Sequence, residues 1–207
     1  MERNIVIHGD SLEYMKSLPD KCIDLILTDP PYWLDKKLSQ WWWKHKNSKF
    51  RTNYEWKHWD VLPTQEYFDE IFRISKNQII WGWNYFILPP TRWIICWDKN
   101  QWMPTFSAWE LWWTSFDTVA KIFKCKVVEH WISRDHPTQK PKELFKWCLE
   151  NYSKPWDLIL DCFAWSWTTA VACIETWRDY IVIEKEADYV EIIKKRIKNT
   201  TPPLFIT

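Results

Sequence analysis

A doubly wound α/β domain with a mostly parallel sheet is the fold class this sequence predicts, on two observations. Short apolar runs rich in β-branched residues alternate with stretches of helical periodicity, which is the signature of βα units. One run, Cys22 to Thr28, is apolar almost throughout and ends in Asp29-Pro30-Pro31-Tyr32, as expected for a parallel strand buried on both faces that delivers a loop at its carboxyl end.

The elements follow in order. Asn4 to His8 is a strand, Gly9-Asp10-Ser11 a turn, and Leu12, Met15 and Leu18 mark a helix. After the Cys22–Thr28 strand, residues 33–60 show no periodicity and carry more lysine and arginine than acid, which predicts an inserted basic loop. Gln65 to Ser75 is helical; Gln78 to Trp81 and Trp93 to Trp97 are strands separated by a Pro-containing loop. Phe106 to Val128 alternates aromatic, apolar and polar residues and is expected to add antiparallel edge strands. From Pro141 the pattern is plain again: helix to Tyr152, strand Leu158 to Cys162, helix Thr168 to Thr176, strand Tyr180 to Glu184, helix Ala187 to Lys198.

Composition narrows the class. With 207 residues and 46% hydrophobic content, residues 1–207 suit one domain with a substantial core. A net charge of +1 means that any basic surface must be local. The six cysteines form no CxxC pair, which argues against a zinc ribbon and a disulfide framework. Met1 to Asp10 lacks the apolar region of a signal peptide, and no apolar run is long enough for a bilayer, so a soluble, cytoplasmic protein with no membrane partner is expected.

The tryptophan count is abnormal: the chain has 20 Trp and 2 Gly, where average usage would give roughly 14 glycines. Several tryptophans fall where the chain needs a turn, among them Trp33, Trp156 and Trp177. The pattern predicts that many of them stand for glycine, as happens when a gene that uses UGA for glycine is translated with UGA read as tryptophan. The alternative is a chain truly rich in tryptophan.

Two segments carry chemistry. An aromatic amine is a poor nucleophile because its lone pair is delocalised. Asp29 could accept one amine hydrogen and the Pro30 carbonyl the other, while Pro30 and Pro31 stiffen the loop and Tyr32 offers a ring for a base removed from its stack. The competing reading is a Pro-rich turn. The second segment is Asp161-Cys162-Phe163-Ala164-Trp165-Ser166-Trp167-Thr168-Thr169; with glycine at 165 and 167 it is a tight turn that lets a ligand approach the backbone, and Glu184 ends the next strand where a carboxylate would meet ribose hydroxyls. With tryptophan present, a packed aromatic turn is the competing reading.

Together these segments resemble the amino-methyltransferases of DNA, specifically the β group, in which Asp-Pro-Pro-Tyr precedes the F-x-G-x-G cofactor segment. The similarity extends through Ile7-His8-Gly9-Asp10-Ser11, Trp81-Gly82-Trp83-Asn84-Tyr85-Phe86 and His136-Pro137-Thr138-Gln139-Lys140-Pro141. It implies a Rossmann-like fold and S-adenosylmethionine as cofactor. It assigns Asp29, Pro30, Pro31 and Tyr32 to catalysis. It assigns Asp10, Ser11, Asp161, Phe163, Ala164, Trp165, Ser166, Trp167, Thr168 and Glu184 to the cofactor, with His136, Thr138, Gln139 and Lys140 by its methionine part. For the last group a plain helix start is the competing reading. Glycine stands in the family where this chain has Trp33, Trp83, Trp156, Trp165, Trp167 and Trp177, whereas Trp59, Trp81, Trp97 and Trp109 fall where an aromatic suits.

The expected activity is site-specific methylation of N6 of adenine in double-stranded DNA, because cytosine-N4 enzymes of this type more often begin the catalytic motif with serine. Cytosine N4 is the first alternative, and a catalytically inactive DNA-binding relic the second if the motif tryptophans are genuine. No metal is needed, since displacement at a sulfonium requires alignment more than Lewis acidity. The basic loop 33–60 is expected to track phosphates or to be plain surface, and residues 103–135 to read sequence.

Overall fold

In the computed structural model the described residues are 1–31, 62–100, 107–125, 140–165 and 168–204. Within them the strands are β1 (Ile5–His8), β2 (Ile23–Thr28), β3 (Ser75–Trp81), β4 (Ile94–Asp98), β5 (Trp109–Thr114), β6 (Lys121–Lys124), β7 (Leu158–Asp161) and β8 (Asp179–Glu184). The helices are α1 (Ser11–Lys16), α2 (Gln65–Ile74), α3 (Lys142–Tyr152), α4 (Thr168–Glu175) and α5 (Ala187–Lys198).

One sheet joins the strands in the order β1-β8-β7-β2-β3-β5-β4-β6. Every neighbouring pair is parallel except the two that involve β5. The apolar runs are continuous because helices cover both faces. Leu25, Leu27, Ile159 and Val182 join Leu144, Phe145 and Leu149 of α3, Ala170 and Ala172 of α4 and Ile193 of α5 in one core. The alternating positions Ile26, Leu158, Leu160, Ile181 and Ile183 join Met15 of α1 and Phe68, Ile71 and Ile74 of α2 in the other. Arg73 ties α2 to the end of α1 by donating to the carbonyls of Met15 (2.9 Å) and Leu18 (2.8 Å).

Two expectations are corrected. The region 106–128 does not simply add antiparallel edge strands: β5 is antiparallel but lies inside the sheet between β3 and β4, and β6 is at the edge but parallel to β4. The third strand starts at Ser75 rather than Gln78, directly on the end of α2. The Ser75 hydroxyl closes the helix by donating to the Ile71 carbonyl (2.5 Å) while its own carbonyl accepts from Lys21 (2.9 Å), so no separate turn is required. Among the described residues no helix is long and apolar enough to cross a membrane.

The tryptophans divide by environment. Trp81 is fully buried and stacks on Phe145 with ring centroids 4.8 Å apart, and Trp97 donates from Nε1 to the Cys125 carbonyl (3.1 Å). Trp156 and Trp177, by contrast, have left-handed backbones with φ of 71° and 59°, and the Trp156 N–H donates to the Trp177 carbonyl at 2.7 Å. Glycine meets that geometry without a Cβ clash. Trp83 and Trp165 lie outside the left-handed region, so a glycine there would serve close approach rather than a turn. Trp33, Trp59 and Trp167 lie outside the described residues.

A bulky residue in the left-handed region costs about 1–2 kcal/mol. Trp156→Gly and Trp177→Gly are therefore expected to leave the thermal midpoint unchanged or raise it, despite loss of their mutual ring contact at 5.6 Å. Trp112→Ala, at a fully buried ring, should cost roughly 3–5 kcal/mol. Urea unfolding of the three variants checks this; comparable losses at all three would refute the glycine requirement.

Candidate active site

Because β1, β8, β7 and β2 are neighbours and parallel, whatever follows each of them meets at one edge of the sheet. Four carboxylates do so: Asp10 after β1, Glu184 at the end of β8, Asp161 at the end of β7 and Asp29 after β2. The chain winds from β2 towards β3 on one side and from β7 towards β8 on the other, so the β2/β7 seam is the topological switch point, where open α/β sheets form their crevice.

Asp161 organises the seam. Its Oδ1 accepts from the Thr28 hydroxyl (2.8 Å) and the Phe163 N–H (3.1 Å), and its Oδ2 from the Thr169 hydroxyl (2.5 Å) at the start of α4. Burial pushes its pKa up to about 6 in spite of these donors. Ala164 is fixed by its N–H on the Ile183 carbonyl (3.0 Å), which ties the turn to β8. Thr168 is buried, Trp165 is half-buried, and Ser166 and Trp167 lie outside the described residues.

On the β1/β8 side, Asp10 caps α1, accepting from the N–H groups of Leu12 (2.9 Å) and Glu13 (3.4 Å). The hydroxyl of Tyr67, on α2, reaches both carboxylate oxygens of Asp10 at 3.2 Å, and the Tyr67 ring lies 5.6 Å from that of Phe163. Ser11 is buried beneath. Glu184 accepts from the Glu186 N–H (2.7 Å), is 8% exposed and forms no ion pair among the described residues. Burial pushes it up to about 7.

Asp29 has the opposite solution. Its Oδ2 accepts from Lys140 (2.8 Å), whereas its Oδ1 is buried without a hydrogen-bond partner among the described residues. Burial pushes the carboxyl up and Lys140 pulls it back. Lys140 also stands 3.8 Å from Glu110 on β5, which pairs with Lys99 at 2.6 Å. Burial works against ionised Glu110, but Lys140 and Lys99 outweigh it and hold it below the usual range. A buried, unsatisfied carboxylate oxygen costs free energy unless a donor arrives, so Oδ1 is open to a donor from outside the described residues.

The structure thus brings together Asp10, Ser11, Asp29, Asp161, Phe163, Ala164, Thr168 and Glu184 on one edge, with Pro30 and Pro31 buried behind Asp29. It places Lys140 on the Asp29 carboxylate. Tyr32, His136, Thr138 and Gln139 lie outside the described residues, as do loop 33–60 save its neighbours and much of 103–135. Sequence reasoning missed Tyr67, Lys99 and Glu110. Amphipathic spacing marks Tyr67 only as a helix residue, and nothing local singles out the other two.

Comparison with known proteins agrees with this geometry. Residues 97–195 match the family model described as DNA methylase. Type II methyltransferase M2.MboI of Moraxella bovis is 27% identical over 96% of this chain and 89% of its own length. Type II methyltransferase M.HinfI of Haemophilus influenzae is 25% identical over 96% and 69%. Among solved structures, the M1.HpyAVI–SAM complex superposes with a TM-score of 0.62 at 21% identity, covering 92% of this chain and 98% of that one. The cytosine-N4-specific PvuII DNA methyltransferase gives 0.59 at 17%, covering 95% and 86%. At such identities the superpositions establish the Rossmann-like fold, and the sequence matches show a likeness to the N6-adenine/N4-cytosine family of DNA methylases.

Proposed function

We propose that this chain transfers a methyl group from S-adenosylmethionine to N6 of an adenine flipped out of double-stranded DNA. The observation that carries the reading is Asp29: a carboxylate at the switch point with one oxygen held by Lys140 and the other buried and without a partner among the described residues. Oδ1 would accept one amine hydrogen and the Pro30 carbonyl the second, drawing the nitrogen lone pair out of the ring. The stiff Pro30-Pro31 pair holds both acceptors in place.

The residues fit the methyl donor. Glu184, buried without a cation among the described residues, suits a ligand that brings hydroxyl donors, and Phe163 backed by Tyr67 supplies an aromatic wall. With Asp10, Ser11 and the turn Asp161–Thr168 they would hold the nucleoside; His136, Thr138 and Gln139 would hold the amino-acid end. S-adenosylmethionine supplies a methyl group on a sulfonium, already activated for displacement. Aspartate at the start of the catalytic motif supports adenine over cytosine. Loop 33–60 would follow phosphates and residues 103–135 would read sequence.

Labelled methyl transfer to double-stranded DNA, followed by nucleoside analysis, tests the reading. N6-methyladenine is expected, and N4-methylcytosine would overturn the choice of base. Asp29→Ala should lower transfer by about 10²–10⁴-fold with donor binding retained; an active variant would remove Asp29 from the chemistry. A second reading, a chain that binds DNA without transferring methyl groups, rests on Trp165, half-buried in the cofactor turn. The double variant Trp165→Gly/Trp167→Gly separates them: tight donor binding is expected, and DNA binding without donor affinity in both forms would favour the relic.

Glu184 also sets a pH dependence. Its folded pKa, about 7, lies above its ordinary 4.5, so the folded state binds the extra proton between those values. Stability of the donor-free protein therefore falls as pH rises through this window. Hydroxyl donors favour the ionised form, so donor affinity should rise over the same interval. Calorimetric titration from pH 5.5 to 8 checks both, and Glu184→Gln should flatten the two slopes.

A further inference from the structure

Four side chains of alternating charge run inward along the carboxyl edge of the sheet: Lys99 after β4, Glu110 on β5, Lys140 before α3 and Asp29 after β2. The contacts are 2.6 Å from Lys99 to Glu110 Oε1, 3.8 Å from Lys140 to Glu110 Oε2 and 2.8 Å from Lys140 to Asp29 Oδ2. Lys140 and Lys99 are 7% and 12% exposed, so solvent screens the inner part of the chain weakly. Lys99 also sits over the Trp97 ring, 5.2 Å from its centroid, which anchors the outer end on a buried core residue.

The reacting carboxylate needs more than a charge. It must stay ionised although burial opposes this, and it must present one defined oxygen. Lys140 does both by occupying Oδ2, while Oδ1 has no partner among the described residues. A lysine on a flexible stem does not by itself choose one position between two carboxylates. Glu110 shares it, and Lys99 limits how much of Glu110 is directed at it.

We infer that Glu110 and Lys99 are positioning residues of the methyl-transfer site, setting through Lys140 the protonation and the free oxygen of Asp29. This rests on the reading of Asp29 as the amine acceptor. Among the described residues, the charged groups facing Asp29 are Lys140 from the segment before α3, Glu110 from β5 and Asp161 across the β7 seam. Because the signs alternate, the two outer residues act in opposite directions. Removing the Glu110 charge strengthens the hold of Lys140 on Asp29 and lowers the Asp29 pKa. Removing Lys99 turns Glu110 fully onto Lys140, weakens its hold on Asp29 and raises that pKa.

The experiment follows the Asp29 carboxyl carbon by NMR in the full-length, ligand-free protein, alongside single-turnover methylation of double-stranded DNA across pH. The proteins are wild type, Glu110→Gln, Lys99→Met and Glu110→Asp. The expected result is a downward shift of both the Asp29 titration and the acid limb of the rate profile in E110Q. In K99M both should shift upward, while E110D stays near wild type and the donor Kd changes in none of them. Shifts in the same direction for E110Q and K99M, or titrations that overlay wild type, would overturn the inference. Asp29→Ala separates the two levels: if it still methylates, the reading of Asp29 fails; if it is inactive while E110Q and K99M titrate as wild type, only the relay fails.

Discussion

The hydrogen bond from Thr28 to Asp161 spans the one seam where the sheet changes its direction of winding, and the arrangement of the site depends on it. Parallel strands leave their last residues at a common edge, but the β2/β7 pairing is short, with two residue pairs in register, Leu25 with Ile159 and Ile26 with Leu160. Beyond Leu160 the strands are joined by side chains instead of backbone. Asp161 takes the Thr28 hydroxyl on one oxygen and Thr169 at the start of α4 on the other. The turn that faces the cleft is thereby fixed to the strand that delivers Asp29. Buried carboxylates with several neutral donors are costly alone but rigid once satisfied, which suits a group that holds geometry rather than reacts.

Much of this was legible in the sequence because the signals were local. Cys22–Thr28 reads as a doubly covered strand since every residue in it but Asp24 is apolar or closes the run, and the two cores that receive its alternate positions are what such a pattern requires. The carboxylates at strand ends follow from the βα alternation alone. Strand order was not legible: β5 runs antiparallel between β3 and β4, and no periodicity encodes which neighbour a strand chooses. Glu110 and Lys99 were missed for the same reason. They lie 30 and 41 positions from Lys140 in the chain, a separation read from their numbers, and only the sheet brings them to it.

The tryptophans show how backbone geometry can disagree with residue identity. At Trp156 and Trp177 the turns hydrogen-bond to each other and connect α3 to β7 and α4 to β8, so neither can relax without disturbing a strand entrance. The fold imposes left-handed backbone there whatever the side chain, and the ring is carried into a conformation that L-residues avoid. Trp81 and Trp97 pose the reverse case, with rings that fill a core or satisfy a carbonyl. One residue type thus occupies two incompatible kinds of site. Selection on packing would produce the second kind but not the first, and systematic replacement of glycine accounts for the first without touching the second.

Two of the three raised carboxylates at this edge, Glu184 and Asp29, are treated differently, and under the proposed function the difference follows from what each must meet. Glu184 has no cation beside it among the described residues, so its charge is supported only by backbone donors and by whatever hydroxyls a ligand brings. Asp29 has Lys140 at 2.8 Å, and in the proposed reaction it would accept a neutral amine that brings no charge of its own. A cation at Glu184 would compete with hydroxyl donors and weaken discrimination for a nucleoside. Its absence at Asp29 would let burial neutralise the acceptor before a base arrived. Asp161 lies between them and raises Glu184 electrostatically, as Asp29 raises Asp161. The edge thus carries a row of three neighbouring carboxylates, Asp29, Asp161 and Glu184, each raising the next electrostatically while burial dominates.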